Sequence, residues 1–236
     1  MGKDSFTFRH FIVRHDRCAM KVGTDGTLLG TWAGMAEGEG RVLDVGTGTG
    51  LIALMMAQRY PLATVTAIDI DPEAVSQARD NIAASPFSQR ISVMTADFAR
   101  FPDAEPFDAI VSNPPYFDRS LECPDSQRTT ARHTATLSYR QLIRSAWPLL
   151  TDEGRFSLII PADCLARLEA EARLQGFFLT RRYAVHTTPS KPPKRYLIEL
   201  RKHPVEEIDK QDVTLESSPG QRSPWYHRLT QDFYIK

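Results

Sequence analysis

Two rhythms of apolar and polar positions alternate along this chain. Short apolar runs rich in β-branched residues read as buried strands: "RVLDV" (41–45), "TVTAIDI" (64–70), "RISVMTAD" (90–97), "PFDAIVSN" (106–113) and "GRFSLIIP" (154–161). Between them lie segments with helical spacing. "GLIALMMAQRY" (50–60) stops before Pro61, and "DPEAVSQARDNIAAS" (71–85) opens on an acidic cap with a proline at the first helical position. "SYRQLIRSAWPLL" (138–150) is helical until Pro148 bends or ends it, and "ADCLARLEAEARLQG" (162–176) is closed by Gly176. "FFLTRRYAVHT" and "RYLIELRKH" read as a closing antiparallel pair. Strands alternating with helices predict a doubly wound α/β fold, a mostly parallel sheet with helices on both faces. The expected divisions are an N-terminal strand-and-helix extension packing on the core (1–40), a central domain (41–203) and a polar, weakly patterned tail (204–236).

Composition narrows the function classes. With 236 residues, 42% of them hydrophobic, the chain can bury one substantial core. Its formal net charge is zero, so any surface for a polyanion must be local. Cys18, Cys123 and Cys164 are an odd, widely spaced set, which fits a reduced intracellular protein better than a disulfide framework or a zinc site. The six histidines are scattered without metal-ligand spacing, so no metal is expected. "MGKDSFTFRHF" lacks the apolar stretch of a signal peptide, and no run approaches the length of a membrane span. Ser112 has no G-x-S-x-G elbow around it, which disfavours a hydrolase.

Chemistry enters at "LDVGTGTG" (43–50). Asp44 ends the first core strand, and Gly46, Gly48 and Gly50 turn the chain into a helix, letting a ligand approach bare backbone at a helix N-terminus. Asp69 ends the next strand, where a carboxylate can accept hydrogen bonds from both hydroxyls of a ribose. Asp71 is placed to cap the following helix. On these features alone a nicotinamide dinucleotide enzyme remains a rival.

The stretch "SNPPY" (112–116) bears on the reaction. Consecutive prolines fix φ twice and remove two donors, so the segment is stiff and rich in free carbonyls. An amine attached to a flat π system is a poor nucleophile, because its lone pair is delocalised. It gains nucleophilicity when both N–H bonds are directed at fixed acceptors. The side-chain oxygen of Asn113 and the carbonyl of Pro114 can be those acceptors, and Tyr116 can stack on the planar group. Adenine N6, cytosine N4 or guanine N2, and a glutamine side-chain amide all satisfy this chemistry. Basic residues flank the motif. Arg119 and Arg132 follow it, and the 177–203 region holds Arg181, Arg182, Lys191, Lys194, Arg195, Arg201 and Lys202 against Glu199 alone. Such residues favour phosphate contacts.

Taken in order, "DVGTGTG", Asp69, "ADF" (96–98) and "NPPY" resemble the class I S-adenosylmethionine-dependent methyltransferases over about residues 40–200. The resemblance implies a seven-stranded sheet whose last strand is antiparallel, with S-adenosylmethionine as cofactor. It implies that Asp44, Gly46, Gly48, Gly50 and Asp69 serve the cofactor, with Asp97 at its adenine amine and Phe98 near the adenine ring. With "CAMKVGTDGTLLGTWA" (18–33) and "RTTARHTATLSYRQLI" (128–143), the chain further resembles the tRNA adenine-N6 methyltransferases that act on adenine 37 of a valine tRNA. In that reading Thr24 or Asp25 caps the helix that follows, Thr24 binds the cofactor, and Lys21 reaches a carboxylate or phosphate. Arg119, Arg132, Lys191, Lys194 and Arg195 meet the tRNA, and the setting is the cytoplasm, with a single chain as the default working unit. The alternatives are a ribosomal-RNA base-amine methyltransferase and the release-factor glutamine methyltransferases that share the tetrapeptide. The latter usually carry a helical domain before the cofactor loop, for which about forty residues leave no room.

Overall fold

The computed structural model describes residues 4–18, 21–36, 38, 40–102, 105–114 and 137–235. Among them the chain forms β1 (Ser5–Thr7), β2 (Ile12–Arg14), α1 (Thr24–Trp32), β3 (Arg41–Val45), α2 (Leu51–Arg59), β4 (Thr64–Asp69) and α3 (Pro72–Ala83). Then follow β5 (Ile91–Thr95), β6 (Phe107–Ser112), α4 (Tyr139–Leu149), β7 (Leu150–Pro161), α5 (Leu165–Gln175), β8 (Phe178–His186) and β9 (Arg195–Arg201). The last elements are β10 (Asp209–Thr214), β11 (Glu216–Ser218), β12 (Gln221–Arg222) and α6 (Pro224–Thr230). No helix among the described residues is long and apolar enough to cross a membrane.

One sheet organises these elements, in the order β10-β8-β9-β7-β6-β3-β4-β5. β3 to β7 pair in parallel, while β9 runs antiparallel to both β7 and β8, as the closing pair in the sequence predicts. Side chains alternate between the two faces of a strand. Val42, Ala109, Val111, Ile159 and Leu197 pack with α1, α2 and α3 on one face. Leu43, Ile110, Leu158, Ile160 and Ile198 pack with α4 and α5 on the other. Strands buried on both faces explain the near-continuous apolar runs of the sequence.

The sheet has eight strands where seven were expected. The extra one, β10, comes from the segment read as an unpatterned tail and pairs in parallel with β8. Only Val213 of its six residues is buried, so an outer-edge strand of "DKQDVT" carries no apolar alternation to detect. β7 also starts earlier than expected, at Leu150, because α4 passes directly into it, with Pro148 in the helix's last turn. Ser138 and Gln141 form a reciprocal capping box at the start of α4, and Gly176 ends α5 at φ 101°. The cap of α1 is Gly23, with no side-chain capping bond, so neither Thr24 nor Asp25 takes that role.

Ile110 is fully buried on central strand β6 against the α4 face. Ile110→Ala should lower the unfolding free energy by about 2–5 kcal/mol, read as a lower urea midpoint at unchanged slope.

Candidate active site

The strand registers bring four loops to one edge of the sheet. Val45 pairs with both Ile68 and Ser112, and Asp69 pairs with Thr95. Gly46, Asp69, Asp97 and Asn113 therefore leave the carboxyl ends of adjacent parallel strands together, where open α/β sheets form their ligand crevice.

The glycine turn is held by its neighbour strand. Gly46 N and Thr47 N both donate to Ile68 O at 2.9 Å, and Gly48 N donates to Asp69 Oδ2 at 2.9 Å. Asp69 Oδ1 accepts from Asp71 N at 3.0 Å, so this half-buried carboxylate is fixed at both oxygens. Asp71 caps α3 through Glu73 N at 2.9 Å, as expected. Gly46, Gly48 and Gly50 all have positive φ (72°, 55° and 81°), a conformation that L side chains rarely adopt. They divide into two kinds. A Cβ on Gly46 or Gly48 would meet nothing within 4 Å among the described residues, so both border open space there. A Cβ on Gly50 would lie 3.3 Å from Ile82 Cδ1 and 3.4 Å from Ala78 Cβ, so this glycine lets α3 pack against the turn.

Asp44 sits beneath the turn, fully buried. Its Oδ2 accepts from Thr47 Oγ1 at 2.6 Å and from Ala53 N at 3.1 Å, bracing the loop and the first turn of α2. Its Oδ1 is buried without a hydrogen-bond partner among the described residues. Burial pushes the Asp44 carboxyl up to about 7, against the opposing pull of Thr47 and Ala53. Asp97, half-buried, caps the short turn Phe98–Arg100 through Ala99 N at 2.9 Å. Phe98 lies 5% exposed in the apolar cluster beneath α4.

Asn113 and Pro114 follow β6 directly; Asn113 is half-buried and Pro114 buried. Ser112 Oγ donates to Val45 O at 2.9 Å and ties the end of β6 to the strand that feeds the glycine turn. Thr47 was not singled out from the sequence, and Ser112 was weighed there only as a hydrolase nucleophile. Their signal is a small hydroxyl residue beside a motif at a strand end. Tyr116, Arg119 and Arg132 lie outside the described residues.

The basic residues fall into two groups. Arg181 pairs with Glu199 and Asp209, Arg182 with Glu169, Arg201 with Glu153 and Lys202 with Asp152. Arg195 pairs with Asp25 of α1. Lys191 and Lys194 are exposed on the β8–β9 connection, without an ion pair among the described residues. Because β9 runs back from the carboxyl end of β7, this connection lies on the crevice edge. Thr24, the first residue of α1, is exposed.

An open backbone cradle, a fixed carboxylate at the neighbouring strand end and an unpartnered buried oxygen below fit a nucleoside cofactor carrying a cationic group. No group of three or more His, Cys, Asp or Glu among the described residues could hold a metal ion.

Comparison with known proteins points the same way. The family model described as the methyltransferase small domain matches residues 26–186. A protein of Phocaeicola vulgatus named tRNA1(Val) (adenine(37)-N6)-methyltransferase is 49% identical, with 100% of this chain and 99% of its own covered. Proteins of the same name from Bacteroides thetaiotaomicron (45%, covering 100% and 99%) and Serratia proteamaculans (42%, covering 99% and 90%) are also similar. Among solved structures, a predicted O-methyltransferase from Agrobacterium tumefaciens superposes with a TM-score of 0.67 at 22% identity, covering 89% of this chain and 96% of that one. A TehB-like S-adenosylmethionine-dependent methyltransferase from Corynebacterium glutamicum superposes with a TM-score of 0.53 at 17% identity, covering 77% and 89%. The two structures share the class I methyltransferase fold with this chain.

The Asp44 carboxyl, at 3.8 when unperturbed and about 7 here, has a pH consequence. Between these values the unfolded chain gives up its proton while the folded one keeps it, so this group's contribution to stability falls as pH rises from about 4 to about 7 and is level above. Asp44→Asn removes that slope. In urea unfolding at pH 5 and pH 8, the variant should gain on the parent at the higher pH, by at most roughly 1.4 kcal/mol per unit of the interval. A difference that does not change with pH would contradict it.

Proposed function

The chain belongs to the methyltransferase small domain family, alongside the tRNA1(Val) (adenine(37)-N6)-methyltransferases, and from that premise we propose that it methylates the N6 amine of adenine 37 in a valine tRNA, with S-adenosylmethionine as methyl source. The reading rests on one observation: Asn113 and Pro114 leave β6 at the same sheet edge as the open glycine turn and Asp69. The cytoplasm, where tRNA is modified, is its setting, and the chain works without a membrane or a metal.

S-adenosylmethionine supplies, when bound, an electrophilic methyl group on a sulfonium. The chain supplies position. Gly46 and Gly48 admit the ligand to bare backbone. Asp69 accepts from the ribose hydroxyls with the lone pairs left beyond its two backbone bonds. Asp97 would accept from the adenine amine of the cofactor, and Phe98, packed in the cluster behind it, would back that side of the crevice. Asp44 acts through the loop it braces, and Thr24 borders the site from the start of α1. On the substrate side, the Asn113 side-chain oxygen and the Pro114 carbonyl each accept one N–H of the target amine. That drains the lone pair from the ring and aims it at the methyl carbon. Asn113 and Pro114 would hold the amine for transfer of that methyl group, and the surplus amine proton would leave to solvent. Tyr116 stacks on the adenine, which must leave its neighbours to enter the crevice. Arg119, Arg132, Lys191 and Lys194 meet phosphates. Arg195 was expected among them, and its pairing with Asp25 also makes it a tie between α1 and the start of β9.

Incubation with labelled cofactor and either total RNA or total protein, followed by digestion of the labelled fraction to nucleosides, should yield N6-methyladenosine from the tRNA fraction. Label in protein glutamine instead would overturn the assignment. Asn113→Ala should lower kcat by on the order of 10²–10³ while cofactor affinity by calorimetry stays within a few-fold. Charge-neutralising Lys191→Gln with Lys194→Gln should raise the KM for tRNA and reduce the slope of log KM against log salt by up to about two. An unchanged slope would exclude that surface.

A further inference from the structure

Two buried side chains on α3 have no part in the chemistry above. Gln77 is fully buried and Asn81 is 2% exposed, and one helical turn separates them, so they share a face. Asn81 joins three segments. Its Oδ1 accepts from Arg14 N at 2.9 Å, and its Nδ2 donates to Arg14 O at 2.8 Å and to Thr49 O at 2.9 Å. Thr49 stands between Gly48 and Gly50 of the crevice turn, and Arg14 ends β2. Gln77 Oε1 takes the next contact, accepting from Arg17 N at 3.0 Å, and the Arg17 guanidinium reaches Ser76 and Asp80 on the same helix.

The order of these contacts gives the path. Arg14 meets Asn81 and Arg17 meets Gln77, so residues 14–18 run along α3 towards its N-terminus, which follows Asp69 at the crevice edge. Cys18 comes next, its thiol pushed up to about 11 by burial and then by the Asp69 and Asp71 carboxylates. The segment is anchored behind by Phe8, Phe11 and Val13 in the core, and a few residues ahead it becomes α1. It is a strap pinned along α3 and delivered beside the ribose-binding carboxylate.

We propose that Asn81 and Gln77 are positioning residues for the cofactor: they hold the strap against α3, and Asn81 couples it to the glycine turn, so that cofactor affinity depends on the strap being in place. The proposal rests on the crevice being the S-adenosylmethionine site, but not on the identity of the methyl acceptor. Asn81 is suited to the coupling because one carboxamide accepts and donates at once. It pairs with both polar backbone groups of Arg14, and its second N–H remains for Thr49 O. A carboxylate of the same shape would keep the Arg14 N contact and set its other oxygen against two carbonyls.

The test measures binding of S-adenosylhomocysteine by calorimetry without RNA, alongside steady-state kinetics with tRNA. Asn81→Asp should raise the Kd and the cofactor KM roughly tenfold or more, leaving kcat at saturating cofactor within about twofold. A folded variant with unchanged Kd, or one that loses kcat alone, would overturn the proposal. Should Asn81→Asp fail to fold, hydrogen exchange on the parent protein decides. S-adenosylhomocysteine should slow exchange at the Arg14 and Arg17 amides, and amides indifferent to it would overturn the coupling. If the parent chain binds no S-adenosylhomocysteine at all, the cofactor assignment fails, whereas label appearing on another acceptor leaves this proposal intact.

Discussion

Gly46 N and Thr47 N converge on a single carbonyl, Ile68 O, and Gly48 N turns to the carboxylate of the next residue, Asp69. These three bonds fix a turn in which successive glycines hold positive φ, and they fix it to the neighbouring strand rather than to itself. The rest of the site depends on that linkage. The carboxylate that would take a ribose cannot move without moving the cradle that would take the rest of the ligand. Ser112 Oγ, on Val45 O, extends the same constraint to β6, so the strand presenting Asn113 is locked to the strand presenting the turn. Catalysis by positioning needs this rigidity, because a displacement of about 1 Å between acceptor oxygens and electrophile costs orders of magnitude in rate.

A buried carboxyl under the turn is the costly part of the arrangement. Asp44 gives up hydration and receives two hydrogen bonds at Oδ2, from a hydroxyl and a backbone amide, with none at Oδ1 among the described residues. Two neutral donors do not offset full burial of a carboxylate, and its raised proton affinity states that imbalance. A cationic ligand group in the crevice would shift the balance back. A residue that is suboptimal for the empty fold and better matched to the loaded one is what a binding site requires, and such places break the local rules of stability.

Much of this was legible in the sequence because the relevant signals are local. The glycines, Asp69 and Asn113 stand at the ends of apolar runs, and a parallel sheet must bring successive run ends to one edge. The β8–β9 pair was readable for the same reason. What escaped was set by partners distant in sequence. β10 is a polar edge strand recruited by the exposed side of β8, so its own pattern is silent. Gly23, not Thr24 or Asp25, caps α1, and Asp25 pairs instead with Arg195, 170 residues away, which no spacing rule reveals. Gln77 and Asn81 look like ordinary polar residues on an amphipathic helix until the N-terminal strap is laid over them.

The distribution of basic residues shows how a chain of zero net charge can still address a polyanion. Counting charges along 177–203 overstates the available field, since Arg181, Arg182, Arg195, Arg201 and Lys202 each already have a carboxylate partner. Arg181 also lies 4.0 Å from the centre of the Trp32 ring, where its charge serves packing between the sheet and α1. Paired cations present little net potential to a distant phosphate, and the Debye length of about 8 Å at physiological salt removes most of what remains. The exposed lysines at 191 and 194 differ in kind. They sit on a connection that the antiparallel turn of β9 places at the crevice edge, so their field reaches the crevice side of the sheet. The reversal of one strand thus does two things: it joins β8 to β7 through β9, and it carries two exposed lysines, without an ion pair among the described residues, to the crevice edge.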